Sequence, residues 1–165
     1  MNLDFERKEE INYSIIIPHK NSTVLLERCL KSIPCRKDVQ VIVVDDNSEN
    51  QEELNAVVGG FSQVELILTQ GGGAGHARNE GLKYIRGKWV LFADADDFYN
   101  KNAFSILDNY INSDNDVIYF FANSLDVNTL LPTPREKDLQ NIYEKYDSDN
   151  IRSADYIRFK NWAPW

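Results

Sequence analysis

Three carboxylates stand close together in this chain, at Asp94, Asp96 and Asp97, directly after the apolar run Trp89–Ala93. Crowding like charges is unfavourable unless a cation neutralises them, and a divalent ion suits oxygen ligands of this kind. Residues two apart on a strand project to the same face, so Asp94 and Asp96 can share one ion. Such an ion keeps open positions that a substrate phosphate can fill. The alternative is a strand end followed by an acidic turn in solvent, which is the ordinary interpretation of an isolated Asp-x-Asp.

The elements that must position these carboxylates alternate along the chain as short apolar runs and amphipathic segments. The apolar runs predict strands at 13–17, 39–44, 64–68, 89–93 and 117–121. The amphipathic segments predict helices at 22–33, 51–58, 77–85 and 103–111, with a short one at 152–159. Solidly apolar strands separated by helices indicate an α/β fold, with a mostly parallel sheet flanked by helices.

Polar clusters follow four of these strands, after Ile17, Val44, Leu68 and Ala93. Ligands of parallel α/β sheets bind at the carboxyl ends of the strands. This coincidence favours a binding site over a solvated acidic turn.

The glycine-rich segment Gly71–Gly75 fits neither common phosphate-binding template. His76 and Arg78 occupy the positions where a dinucleotide-binding fingerprint would need glycine, and the P-loop pattern is missing as well. We expect a flexible loop that brings the start of the 77–85 helix toward the site, with Arg78 in its first turn. A cation is disfavoured there, so Arg78 should serve a ligand or a nearby carboxylate, or else form a surface ion pair.

Two further polar groups have alternative interpretations. Asp45 and Asp46 could accept hydrogen bonds from a base or ribose, or could serve only as turn or capping residues. His19 could contact a ligand, or could simply be solvated in its loop.

Composition limits the possible partners. The 165 residues carry a net charge of −8, which disfavours nonspecific binding to nucleic acid or to anionic membranes. No apolar run is long enough to span a bilayer and the first ten residues lack the core of a signal peptide, so we expect a cytoplasmic protein. Cys29 is expected in the core and Cys35 as a reduced loop thiol, because their spacing fits no zinc or redox motif.

Four segments occur together in the chain, Ser14–Asn21, Val43–Ser48, Gly75–Leu82 and Leu91–Asp97. In their order and spacing, over about residues 13–125, they resemble the family 2 glycosyltransferases of the GT-A fold, which is Rossmann-like. The resemblance implies a nucleotide-diphosphate sugar as donor, a divalent metal (Mn²⁺ or Mg²⁺) and inversion at the anomeric carbon. It also implies a saccharide or lipid-linked acceptor, a role in bacterial polysaccharide or glycoconjugate synthesis, and contact with the inner face of the membrane.

The resemblance also assigns residues. Those that it places around the donor are Pro18, His19, Asn21, Asp46, Gly75, Arg78, Asp94 and Ala95. Within this set Asp46 would hold the base, Arg78 would lie near the diphosphate, and Asp94 would lie by the ribose and metal. The metal ligands would be Asp94 and Asp96, with Asp96 the principal one and Asp97 beside it.

The chain departs from the family pattern in two places. His19-Lys20 stands where the family often has Thr-Tyr, which affects the contact with the base. The general base of the family lies beyond a segment that resembles Asn161–Trp165, where this chain ends, and neither Glu144 nor Asp155 matches it. We therefore expect residues 1–125 to form a nucleotide-sugar-binding core and residues 126–165 to begin a truncated acceptor region. A chain of this extent would bind donor and metal but would transfer sugar poorly or not at all.

Three other functions are compatible with parts of the pattern. A haloacid-dehalogenase-type phosphohydrolase also has a strand that ends in Asp-x-Asp, but on its first strand, and with Thr or Val where Phe98 stands. A receiver-type signalling domain has an acidic pair like Asp45-Asp46, but needs a further Asp after its third strand. A non-catalytic module that only binds nucleotide sugars is the remaining alternative.

Overall fold

The computed structural model describes residues 10–118 and 122–138. The chain divides into two compact units, Met1–Asp114 and Asn115–Trp165. The strands of the first unit are β1 (Tyr13–His19), β2 (Val39–Asp45), β3 (Val64–Leu68) and β4 (Trp89–Phe92). Its helices are α1 (Thr23–Ser32), α2 (Gln51–Val58), α3 (Gly73–Gly81) and α4 (Ala103–Leu107). Short 3₁₀ turns, Leu82–Tyr84 and Asp108–Tyr110, follow α3 and α4.

The strands form one parallel sheet in the order β3-β2-β1-β4. The two central strands, β1 and β2, are buried along their whole length, as expected for a sheet with both faces covered. Successive residues of β1 point to opposite faces, so Ile15 and Ile17 join one core cluster while Ile16 joins the other. The α/β fold with a mostly parallel sheet is therefore confirmed.

Helices cover both faces of this sheet. The larger cluster takes side chains from α1, α2 and α4, among them Leu30, Leu54 and Phe104. Ala77 of α3 belongs to the smaller cluster on the other face. At Gly81 a side chain would lie only 2.6 Å from Cγ2 of Ile16, so glycine is what lets α3 approach β1. Cys29 is buried and Cys35 is exposed, as predicted.

The predicted bounds of α2 and β3 agree with the structure, but α3 begins at Gly73 rather than Ala77. Two of the glycines that indicated a loop, Gly73 and Gly75, lie in its first turn, and the backbone nitrogen of Gly73 donates to the carboxylate of Asp46. The residues around the start of α3 do not indicate this cap, because the capping carboxylate comes from the segment after β2. The end of the helix was also misplaced, since residues 82–84 continue as a 3₁₀ turn.

The second unit has little regular structure within its described residues. Leu125 and Pro132 form an antiparallel bridge, and residues 134–138 are helical. The predicted strand at 117–121 has irregular backbone at Val117 and Ile118, and its other residues lie outside the described ranges. The predicted helix at 152–159 and the terminal tryptophans also lie outside them. In the part of the chain that the structure describes, no helix is long and apolar enough to cross a bilayer.

Candidate functional site

The carboxyl edge of the sheet brings the predicted polar groups together. His19 ends β1 and stands in register with Asp45, which ends β2. The backbone nitrogen of Asp46 donates to the carbonyl of His19 over 2.8 Å, and that of Ala93 donates to the carbonyl of Ile16 over 3.1 Å. Because the strands are parallel, the segments that follow β1, β2 and β4 all leave from this edge.

The acidic cluster after β4 consists of Asp94, Asp96 and Asp97. Each offers a carboxylate oxygen, and these three oxygens lie within 4.8 Å of one another. A turn closed by the Asp97 nitrogen and the Asp94 carbonyl, 3.0 Å apart, brings them together. Partial loss of hydration and the charges of Asp96 and Asp94 raise the pKa of Asp97. Such crowded, oxygen-only ligands fit a hard divalent cation.

Ala95 attaches the acidic turn to the hydrophobic core. It lies between the first two carboxylates, is only 8% exposed and belongs to the larger core cluster. Burial of this methyl group holds the turn against the protein, while Asp96 and Asp97, which follow it, remain exposed. The structure therefore gives Ala95 a packing role beside the acidic cluster.

Arg78 faces this cluster from α3. Its Nη2 forms an ion pair with Oδ1 of Asp94, and both side chains are partly exposed. Arg78 was predicted in the first turn of its helix, which is wrong because α3 starts at Gly73 and Arg78 lies in the second turn. The carboxylate partner expected for it is present. Gly75, in the first turn, is exposed, and apart from its chain neighbours and the backbone of its own helix no atom lies within 4 Å of where a side chain would begin.

Arg28 is a residue of the site that sequence reasoning missed. From α1 it donates through Nη2 to the carbonyl of Asp96 over 2.6 Å, and its guanidinium lies 5.1 Å from the ring centre of Phe98. One turn further along α1, Oγ of Ser32 accepts from the backbone nitrogen of Tyr99 over 2.9 Å. The acidic turn is thus fastened to α1 at two points, through partners 67 and 68 residues apart in sequence.

The carboxylate of Asp46 lies at the start of α3. Both of its oxygens are 3.0 Å from the backbone nitrogen of Gly73, and the side chain is 7% exposed. The Nζ of Lys20 lies 3.6 Å from Oδ2 of the same carboxylate. Asp46 therefore caps α3, as the alternative interpretation of this acidic pair allowed, and one cation stands at its exposed side.

His19 is buried rather than solvated, with a residue exposure of 2%. Its Nδ1 lies 2.9 Å from Oδ1 of Asp45, and its Nε2 accepts from the backbone nitrogen of Ser22 over 3.1 Å. Loss of hydration would raise the pKa of Asp45, but the hydrogen bonds donated to its carboxylate outweigh this and hold the pKa below its ordinary value. Pro18 is also buried, within β1 and in register with Val44.

Asn21 connects the turn after β1 to the turn after β2. Its backbone nitrogen donates to Oγ of Ser48 and its Oδ1 accepts from the nitrogen of Glu49, each over 2.9 Å. Asn21 itself is exposed and has the left-handed backbone value φ 52°. Ser48 has partners in both turns, Asn21 and Asp45, and the local sequence pattern does not indicate this role.

Comparison with known proteins places these features in a family. The family described as Glycosyl transferase family 2 matches residues 14–160. A poly(ribitol-phosphate) beta-glucosyltransferase of Bacillus spizizenii is 34% identical over 98 residues, which is 54% of this chain and 16% of that protein. The poly(ribitol-phosphate) beta-N-acetylglucosaminyltransferase TarS of Staphylococcus aureus is 38% identical over 106 residues, 56% of this chain and 18% of TarS.

A solved structure agrees with the fold. The crystal structure of S. aureus TarS 1-349 superposes with a TM-score of 0.55 at 29% identity, over 61% of this chain and 32% of that one. This chain spans less than a fifth of the length of the two curated relatives, so the match concerns one part of those proteins and not their full length. Since the family match covers most of its residues, the chain belongs to glycosyl transferase family 2.

Proposed function

We propose that this protein is a metal-dependent, inverting glycosyltransferase that moves a sugar from a nucleotide-diphosphate sugar to an acceptor hydroxyl. The observation that carries the proposal is the cluster of Asp94, Asp96 and Asp97 at the carboxyl end of β4, with Arg78 beside it. Carboxylates alone would repel a diphosphate, whereas carboxylates with a divalent cation and an arginine attract it.

The acidic cluster would hold the cation, with Asp96 as the principal ligand and Asp94 and Asp97 beside it. A bound Mn²⁺ or Mg²⁺ would neutralise the charge that develops on the nucleoside diphosphate as its bond to the anomeric carbon breaks. Arg28 keeps the carbonyl of Asp96 in place, so the turn is organised before any ligand arrives. Arg78 can donate to a diphosphate oxygen at the price of its ion pair with Asp94.

The nucleotide would lie along the carboxyl edge, over the turns that follow β1 and β2. Asp46 keeps lone pairs free beyond the contact with Gly73, and can accept from an N–H of the base. Lys20 stands 3.6 Å from that carboxylate and can donate to a neighbouring carbonyl of the base. The open space at Gly75 leaves room for a phosphate near the first turn of α3.

The acceptor is proposed by class. The two curated relatives act on poly(ribitol phosphate), and both add a sugar to a polymer. We propose a saccharide or lipid-linked acceptor in bacterial polysaccharide or glycoconjugate synthesis, used in the cytoplasm at the inner face of the membrane. A general base for the acceptor hydroxyl is not assigned among the described residues.

Calorimetric titration with UDP-, GDP- and dTDP-sugars, with and without MnCl₂, tests this proposal. Binding should require the metal and should disappear in Asp96→Ala. Asp116→Ala is the matched control, because Asp116 is an exposed aspartate of the second unit. Equal donor binding with and without metal would contradict the role given to the cluster.

Transfer is tested separately from binding. Release of nucleoside diphosphate in the presence of an acceptor would show turnover, and its absence in a protein that binds donor tightly would favour the non-catalytic module. Family membership argues against the phosphohydrolase, which would instead form a covalent aspartyl phosphate.

A further inference from the structure

The buried imidazole of His19 has a partner on each ring nitrogen. Its side chain is fully buried, with Nδ1 2.9 Å from Oδ1 of Asp45. The backbone nitrogen of Ser22 is 3.1 Å from Nε2. A backbone N–H can only donate, so Nε2 must be the unprotonated acceptor and Nδ1 must carry the hydrogen that goes to Asp45. These partners assign a neutral ring with its proton on Nδ1.

The hydrogen bond from His19 to Asp45 belongs to a closed circuit of hydrogen bonds that also includes Ser48 and Asn21. The carboxylate of Asp45 also accepts from Oγ of Ser48 over 2.5 Å, from the nitrogen of Ser48 over 2.9 Å and from Nε2 of Gln51 over 2.7 Å. The same Ser48 hydroxyl accepts from the nitrogen of Asn21, which returns the circuit to the turn after β1. The turn after β1 and the turn after β2 are therefore held by one buried network.

Each turn contains one residue in a left-handed backbone conformation. Asn21 has φ 52° and Asn47 has φ 64°, both in the left-handed region that most side chains avoid. Conformations of this kind persist where the surroundings fix them. Residues next to these two positions, Lys20 and Asp46, carry the charges that the proposed nucleotide site uses.

We propose that His19 is a positioning residue, which acts through Asp45 and the backbone N–H of Ser22 to fix Asn21 and Asp46 for the nucleotide. Its ring does not contact the ligand, contrary to the position that the family resemblance implies. The part that concerns the nucleotide rests on the proposed function. The part that concerns the two turns rests on the hydrogen bonds alone.

Histidine suits this position because the circuit needs a donor and an acceptor on separate atoms of one rigid ring. Asparagine can place an amide donor near Nδ1, and glutamine can place an acceptor near Nε2, but neither supplies both. His19→Asn and His19→Gln therefore remove different halves of the contact. Each should retain the fold and weaken the hold on the turns.

The first test needs no substitution at His19. The chain has two histidines, so His76→Gln leaves a single imidazole in the nitrogen spectrum of ¹⁵N-histidine-labelled protein. We expect Nδ1 to be protonated, Nε2 to be unprotonated, and the pattern to stay unchanged when UDP, GDP or dTDP is added with MgCl₂. A proton on Nε2, or a change of tautomer on nucleotide addition, would overturn the proposal.

The second test measures coupling. His19→Gln and Asp45→Asn should each lower the affinity for the best-binding nucleotide about tenfold, and the double variant should lose no more than about tenfold. Losses that multiply would overturn the proposal. If no nucleotide binds the parent protein, the proposed function fails on its own. The amide signals of Asn21 and Asp46 must then still shift in His19→Asn and not in His76→Gln, and an absence of such shifts would overturn the positioning role.

Discussion

Each carboxylate oxygen of Asp46 lies 3.0 Å from the backbone nitrogen of Gly73, so the residue that follows β2 caps the start of α3. This contact joins the proposed base-binding carboxylate to the helix that carries Arg78. Nothing in the helix itself offers a side-chain cap, since Gly72 occupies the N-cap position. One aspartate therefore has a structural partner and a proposed ligand at the same time, and the two roles can be separated.

Replacement of Asp46 separates these roles. Asp46→Ala should lower the free energy of unfolding by about 1 kcal/mol, the usual effect of losing a helix cap. Asp46→Asn keeps an acceptor oxygen for Gly73 and should retain most of that stability, while it offers an amide where the base requires a carboxylate. Urea unfolding and nucleotide titration of both variants check this. If Asp46→Asn loses no more free energy of nucleotide binding than it loses free energy of unfolding, capping is the only role of Asp46.

The glycines before and inside α3 differ in what they tolerate. At Gly72 φ is +144° and an added Cβ would lie 2.7 Å from Cγ of His76, so Gly72→Ala should destabilise the protein by about 1–3 kcal/mol. Gly75 has open space around it and lies in the helix, so Gly75→Ala should be neutral or stabilising by up to about 1 kcal/mol. Thermal unfolding of the pair provides the comparison. Similar losses in both variants would contradict the geometry of this loop.

At the opposite edge of the sheet, Asp38 gives the protein a pH-dependent contribution to stability. A hydrogen bond from Arg36, and a further one from Asn12, lower the pKa of Asp38 to about 2. The unfolded chain has an aspartate pKa near 3.9, so this contribution is complete above about pH 4 and is lost as the pH falls toward 2. Its size is of the order of 1–2 kcal/mol after allowance for partial exposure of the pair.

Urea unfolding of the parent and of Asp38→Asn between pH 6 and pH 2.5 measures this contribution. The parent should be the more stable at pH 6, and the difference should shrink on acidification. A difference that is independent of pH would mean that the aspartate acts by packing and not by its charge.

The pattern of apolar residues in the sequence was sufficient to predict the strands of the sheet. Tyr13–Ile17 and Val39–Val44 are mostly apolar runs, and the structure buries both as central strands covered on both faces. The acidic residues after β4 could also be identified, since a chain that leaves a parallel strand must emerge at the carboxyl edge.

The contacts that organise the site could not be predicted in the same way. Asp45 is 26 residues from His19, and Arg28 is 68 residues from Asp96. A local pattern shows a histidine in a loop and an arginine on a helix, and both look solvent-exposed until the partner is known. The start of α3 was misplaced for the same reason, because its cap is 27 residues away.

Because Arg78 forms an ion pair with Asp94, its replacement should have opposite effects on the affinity for metal and on the affinity for nucleotide. In the structure the guanidinium partly neutralises Asp94, and so competes with a cation for that carboxylate. Removing one unit charge near the cluster should improve binding of Mn²⁺ alone by about 1 kcal/mol, or roughly fivefold. Binding of a nucleoside diphosphate with the metal should instead weaken about tenfold or more, because a charge-assisted hydrogen bond to phosphate is lost.

Arg78→Gln tests this prediction, with Arg86→Gln as the matched control, since Arg86 forms an exposed ion pair with Glu65 away from the cluster. Electron paramagnetic resonance gives the free Mn²⁺ in the absence of nucleotide, and calorimetry gives the affinity for UDP, GDP and dTDP in its presence. The control variant, Arg86→Gln, should change neither the affinity for Mn²⁺ nor the affinity for nucleotide. If Arg78→Gln weakens the binding of both metal and nucleotide, Arg78 stabilises the shape of the acidic turn and does not compete with the metal. Removal of a competing cation would instead strengthen metal binding.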